Sequence, residues 1–129
     1  MVDYKELEVG HEFTSIGYEM TSSIVSKYEK AVEAYSPVAN IVPPLAIAAY
    51  TMQAMSLSFP LPLGSVHASQ ELEFFKPVTV GSHIDCHAQI IQKTNRAKLT
   101  VMVIGLDTFD QDKEKVLSGK ATVILTNPV

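Results

Sequence analysis

The chain has 129 residues, 47% of them hydrophobic, with 14 acidic against 10 basic side chains and a net charge of −4. That length suits one domain with enough apolar material for a core, and it excludes a disordered chain. The negative balance excludes the basic field that nucleic acid requires, and the single Cys86 excludes an internal disulfide, so a reducing compartment fits.

The opening Met1-Val2-Asp3-Tyr4-Lys5-Glu6 is charged at once and has no apolar signal core. The expectation is a cytoplasmic protein with a single domain over residues 1–129. Residues 10–18 read as a short edge strand. Thr21, Ser22 and Ser23 are N-cap candidates, because their hydroxyls accept from the free amides of a first turn. Ile24, Val25, Tyr28, Ala31, Val32 and Tyr35 then recur at helical spacing, and Ser36-Pro37 is expected to stop that helix.

Residues 34–70 contain no Asp, Glu, Lys or Arg. Within them, Pro43-Pro44 opens a second helix, a position where proline is tolerated because first-turn amides lack intrahelical acceptors. The helix, 45–55, is apolar around most of its circumference, so something in the fold or a bilayer must wrap it. A bilayer is the poorer fit. A spanning helix needs about 20 continuous apolar residues. Here the run carries Thr51, Gln53, Ser56 and Ser58, and no basic cluster flanks it. Phe59-Pro60-Leu61-Pro62-Leu63-Gly64 ends it.

The remainder reads as β. Val66, Ala68, Leu72 and Phe74 are assigned to one strand face, and His67, Ser69, Glu71 and Glu73 to the other. Ile84, Cys86, Ala88 and Ile90 alternate with Asp85, His87 and Gln89 in a second strand. Thr94-Asn95-Arg96 is expected to turn into 99–106, whose continuous apolarity suggests a central strand covered on both faces. Residues 110–114 form a polar hairpin loop before the last strand, 116–125. The predicted architecture is α+β: a long buried helix wrapped by a curled sheet whose last four strands form an antiparallel meander. This is the hot-dog arrangement, in which a second subunit covers what the sheet does not.

Two segments carry a family resemblance over residues 7–126. Leu7-Glu8-Val9-Gly10-His11-Glu12-Phe13 resembles the L-x-V-G-D-x-F opening of MaoC-like proteins. Val66-His67-Ala68-Ser69-Gln70-Glu71-Leu72-Glu73-Phe74-Phe75-Lys76-Pro77-Val78-Thr79-Val80-Gly81 is similar to their V-H-G-E-Q-x-F-x-F-x-x-P-L-x-V-G-D strand and turn. The resemblance implies a hot-dog fold binding acyl thioesters of coenzyme A or acyl carrier protein. The chemistry it implies is reversible hydration of a trans-2-enoyl thioester to an (R)-3-hydroxyacyl thioester, without a cofactor.

The departure that matters for chemistry lies in the loop between the helices. Active members carry an Asp and a His in a D-x-N-P-x-H loop between the helices. Here the loop is Tyr35-Ser36-Pro37-Val38-Ala39-Asn40-Ile41-Val42, with no acid and no histidine. Adding water needs a base for the water and an acid for the α-carbon. The resemblance therefore implies a dyad-less subunit or binding protein, either a homodimer or the partner of a dyad-bearing hot-dog chain.

Tyr35, Ser36 and Asn40 could hold a thioester carbonyl or simply turn the chain. The amides around Leu45 and Ala46 could polarise that carbonyl, although Pro43 and Pro44 remove two donors. Ile41, Met52, Leu72 and Phe74 are candidate lining for an acyl tunnel. His67 is a candidate displaced acid/base, weighed against a hydrogen-bonded strand histidine. His83, Asp85 and His87 share a face, but wet strand histidines are commoner than metal sites, and no metal is assigned. Cys86 is expected to be an inert buried thiol. His11 is assigned to turn surface. Lys76, Lys93, Arg96 and Lys98 are expected to be solvated, with coenzyme A phosphates as the alternative. The competing functions are a hydratase or thioesterase with relocated residues, Glu71 or Glu73 serving the latter, and a pure dimerisation module.

Overall fold

The computed structural model describes residues 6–33 and 40–126. The elements run β1 (Ile16–Glu19), α1 (Ser22–Val32), α2 (Pro44–Ser58), β2 (Val66–Phe74), β3 (His83–Arg96), β4 (Leu99–Asp110) and β5 (Lys115–Thr126). Tyr35 and Ser36 lie outside the described residues.

Helix α1 starts where its cap allows. The Thr21 hydroxyl accepts from the Ile24 amide at 3.2 Å. The helix ends earlier than Ser36-Pro37 suggested. Glu33 turns left-handed at φ 54°, and its amide donates back to the Glu29 and Lys30 carbonyls. A left-handed cap of this kind closes a helix without proline. Val25 is the buried residue of this helix.

Helix α2 begins at the proline pair with no side-chain cap. It buries Ala46, Ile47, Ala48, Thr51, Ala54 and Met55 against the concave face of the sheet. Leu45, Ala49, Gln53, Ser56 and Leu57 lie on the opposite arc and are exposed, with Met52 half-buried between the two. The sheet thus covers less of this helix than its composition implied, and a strip without charge is left outside.

All five strands are antiparallel, in the order β1-β3-β4-β5-β2. The expected four-strand meander is corrected here. Only β3, β4 and β5 form one, and β2 sits beside β5 at the far edge. The reason lies in the β2–β3 connection. Its residues Val78, Thr79 and Val80 are occupied by the segment before α2. Val42 donates to the Val78 carbonyl at 2.8 Å, Val80 donates to the Asn40 carbonyl at 2.7 Å, and Ile41 bridges Thr79. The connection is stitched across the end of the sheet, and short β1 takes the place beside β3.

Strand β4 is central, but only one of its faces is covered. Thr100, Met102, Ile104, Leu106, Thr108 and Asp110 are buried, while Val101 and Val103 are half-exposed on the convex side. Two clusters fill the concave side. One joins Met55 and Phe59 to Ile90, Met102, Ile104 and Val123. The other joins Ala46, Ile47 and Ala48 to Ile84, Cys86 and Leu117. The β3–β4 turn falls at Ala97-Lys98, three residues beyond the expected start at Thr94, with Ala97 at φ 51°. No helix among the described residues is long and apolar enough to cross a membrane.

Candidate functional site

The start of α2 bears first on the chemistry, since it follows the inter-helix segment in sequence. Asn40 has a left-handed backbone, φ 64°, which asparagine tolerates better than most residues. Its carbonyl accepts from Val80, so its placement serves the chain crossing. Ile41 is held by its bridge to Thr79. The Ala46 amide donates to the Pro43 carbonyl at 2.9 Å, and Ala46 is fully buried. Ala46 therefore offers no free donor to a thioester, contrary to expectation. Leu45 keeps a first-turn amide with no backbone acceptor among the described residues, and its side chain is 63% exposed.

His67 is placed differently from its expected face. A bulge between His67 and Ser69 shifts the β2–β5 register by one residue. His67 pairs with Val123, and Gln70, Leu72 and Phe74 pair with Ala121, Gly119 and Leu117. Val123, Ala121 and Leu117 are core residues. Directly paired residues share a face, so His67 stands on the concave side with Leu72 and Phe74. The bulged residue inverts the alternation that sequence reading assumed. There the His67 Nε2 meets the Gln70 Oε1 at 3.0 Å, and the Gln70 Nε2 donates to the Glu71 carbonyl at 3.2 Å. The imidazole is exposed and oriented by its own strand.

Among the described residues, the remaining tunnel candidates lie in different surroundings. Met52 packs against the cluster around Met55 and Phe59. Leu72 lies in a shallow groove with Glu71, Glu73, Ser118, Gly119 and Lys120. Phe74 is partly exposed at the edge.

Beneath α2, the Thr51 hydroxyl donates to the Ile47 carbonyl at 2.8 Å and lies 2.7 Å from the Thr108 hydroxyl and 3.8 Å from the Cys86 sulfur. Burial pushes the Cys86 thiol up, away from the reactive thiolate. This agrees with an inert thiol.

At the β1 edge, His83 lies flat over Gly17, where a Cβ would come within 2.8 Å of the ring nitrogen. Its Nδ1 meets Glu19 at 2.8 Å and its Nε2 meets Asp85 at 3.0 Å. These carboxylates, Asp85 first and then Glu19, hold its pKa above the ordinary histidine value. His87 packs edge-on to Phe109 instead of joining them, and His11 packs on Phe13.

Two of the lysines considered for phosphate are engaged elsewhere. Lys76 bridges Asp110 and Glu114, each at 2.7 Å, and Lys93 donates to the Leu7 carbonyl at 2.8 Å. Arg96 and Lys98 sit at the β3–β4 turn.

Sequence reading missed a groove between the helices. It holds about 370 Å³ and is lined by Lys27 and Tyr28 of α1 and Ala49, Tyr50 and Gln53 of α2. Tyr28 recurs at helical spacing with the apolar residues of α1, and Tyr50 lies within the uncharged helix, so neither pointed to a groove. A tyrosine beside a lysine on one helix and a tyrosine near a glutamine on the next was the signal available.

A single buried helix on a curled antiparallel sheet is the hot-dog architecture. The model of the FAS1-like dehydratase domain region matches residues 8–118, and the chain belongs to that family. Solved structures share the fold. The unliganded R-hydratase PhaJ1 of Pseudomonas aeruginosa superposes with a TM-score of 0.83 at 17% identity, over 97% of this chain and 86% of that one. The MaoC-like dehydratase of Rhodospirillum rubrum gives 0.82 at 19% identity, over 100% and 99%. The HadBC (3R)-hydroxyacyl-ACP dehydratase complex of Mycobacterium tuberculosis gives 0.73 at 17%, over 90% and 96%. No curated protein matches the sequence significantly.

Proposed function

We propose that this protein binds acyl thioesters, of coenzyme A or acyl carrier protein, as a hot-dog subunit in the cytoplasm that lacks an acid/base pair of its own. The observation that carries this reading is the chemistry of the inter-helix loop. In a dehydratase-family fold, residues 34–42 supply no carboxylate and no imidazole. Hydration without a positioned acid or base forfeits typically about 10² to 10⁴ in rate.

Assembly is part of the proposal. The open β2 edge, with exposed Val66, Phe74 and Phe75, needs a cover. A second hot-dog chain, identical or dyad-bearing, supplies it through an interface of obligate size, upwards of roughly 2,000 Å². Similarity to a heteromeric dehydratase complex supports the hetero option.

The test combines activity and binding. The purified chain is expected to hydrate crotonyl-CoA very poorly. Acyl-CoA should raise its melting temperature more than free coenzyme A does, because the tail adds apolar burial. Turnover in the ordinary range of roughly 1–10³ per second, lost on His67→Ala, would replace this reading with a relocated hydratase. His67 is the residue at stake because Gln70 already orients it on the concave side. No stabilisation by any acyl-CoA or acyl-pantetheine, together with a dimer in light scattering, would leave a bare dimerisation module.

A further inference from the structure

The groove between α1 and α2 has the components of a nucleotide site. Tyr28 and Tyr50 contribute aromatic surface from the two helices. Ala49 between them is small and exposed, which gives the groove its depth. Gln53 adds an amide that can both donate and accept. Helix α2 carries no charge, so the cation comes from α1. Lys27 is exposed and forms no ion pair among the described residues.

The Tyr50 ring is also braced. Tyr18 of β1 packs against it with ring centroids 4.8 Å apart. The Tyr18 hydroxyl is buried and has no hydrogen-bond partner among the described residues. An unpartnered buried hydroxyl costs stability, and the same ring braces Tyr50, which also lines the groove. A ring fixed before binding loses little entropy on binding.

We propose that this groove binds the nucleotide end of coenzyme A, with the purine stacked on Tyr50 and Tyr28 and a phosphate on Lys27. The proposal rests on the acyl-thioester reading and selects coenzyme A over acyl carrier protein. The positions are compatible. Gln53 lies eight residues along α2 from Leu45, or about 12 Å of helix, and the exposed strip through Ala49 joins them. The pantetheine arm would lie along that strip, with the thioester toward the start of α2.

The test uses 3′,5′-ADP, the nucleotide end alone, and a short acyl-pantetheine that lacks the nucleotide, each titrated calorimetrically into the full chain. The groove predicts saturable binding of 3′,5′-ADP. Tyr50→Leu should weaken that binding by about tenfold or more, the size expected for a lost stacking ring. Because Tyr50 also packs on Tyr18, Lys27→Glu on the exposed face of α1 provides an independent variant, expected to weaken 3′,5′-ADP binding without lowering the melting temperature. Acyl-pantetheine affinity should be unchanged in Lys27→Glu. Absence of 3′,5′-ADP binding, or binding indifferent to both substitutions, overturns the groove. If acyl-pantetheine still binds in that case, the acyl-thioester reading stands and the carrier is a protein. If 3′,5′-ADP binds in the groove but acyl-pantetheine does not bind at all, the nucleotide site stands and the acyl reading falls.

Discussion

The two helices are held in place by opposite means. Helix α1 is defined locally: Thr21 caps its start, Glu33 turns its end and Lys30 sits in the last turn, while Val25 is its buried residue. Helix α2 has a proline start, no side-chain cap and no charge in either terminal turn, yet six of its residues are buried. Helix α1 carries its start and stop signals in its own sequence, whereas α2 depends on the sheet that receives it. The difference matters for function, since the lightly anchored helix and the deeply anchored one together form the groove.

Substitutions can separate these two modes. The largest effect is expected beneath α2. Ile47→Ala removes a side chain that is only 2% exposed and leaves a cavity over the sheet. It should cost about 2–5 kcal/mol in chemical denaturation, and a loss comparable to that of a cap would refute the asymmetry. Next comes the polar contact under the same helix. Thr51→Val keeps the shape but removes one of two buried hydroxyls 2.7 Å apart. The expected loss is about 1–3 kcal/mol, read as a fall in melting temperature. Helix α1 should respond less. Thr21→Ala deletes its cap bond and should cost about 1 kcal/mol, with faster hydrogen exchange confined to 22–26.

The smallest effect concerns the strand that leads into α1. His83 joins Asp85 to Glu19, and only the imidazolium can donate to both carboxylates. Its pKa is raised on folding, chiefly by Asp85 and then by Glu19. The sign follows. The contribution is complete below the unfolded value of about 6.5 and is lost as pH rises through the higher folded value. The site is surface-exposed, so the effect should fall within about 0–1 kcal/mol. His83→Gln should flatten the pH dependence of the melting temperature between the unfolded and the raised folded histidine values, and an unchanged slope would remove His83 from the account.

What could be read from the sequence follows the same division. The α1 cap, the proline start of α2, the polar loop before β5 and the burial of Cys86 were all legible, because each depends on a few adjacent residues. The position of β2 was not. Strand neighbours are chosen by contacts distant in sequence, and nothing in 66–74 states that β5 rather than β3 will receive it. The bulge beside Ala68 had no glycine to announce it, so His67 was assigned to the wrong face. The left-handed turns at Glu33 and Ala97 likewise use residues that carry no turn signal. At the candidate site, Asn40 and Ala46 could be named, but not the bonds that already occupy the Asn40 carbonyl and the Ala46 amide. The groove escaped because its walls come from two helices whose approach only the fold determines.

The β2–β5 pairing also dictates an order of events on the ribosome. Strand β2 is synthesised before β3 and β4, but its hydrogen-bonding neighbour is β5, Lys115–Thr126. Until β5 emerges, β2 lacks its strand partner, and its apolar residues wait unpaired. Contacts of such long sequence separation slow folding and lengthen exposure to aggregation. Nascent chains stalled before Lys115 should therefore be preferred clients of holdase chaperones, and release should coincide with emergence of β5.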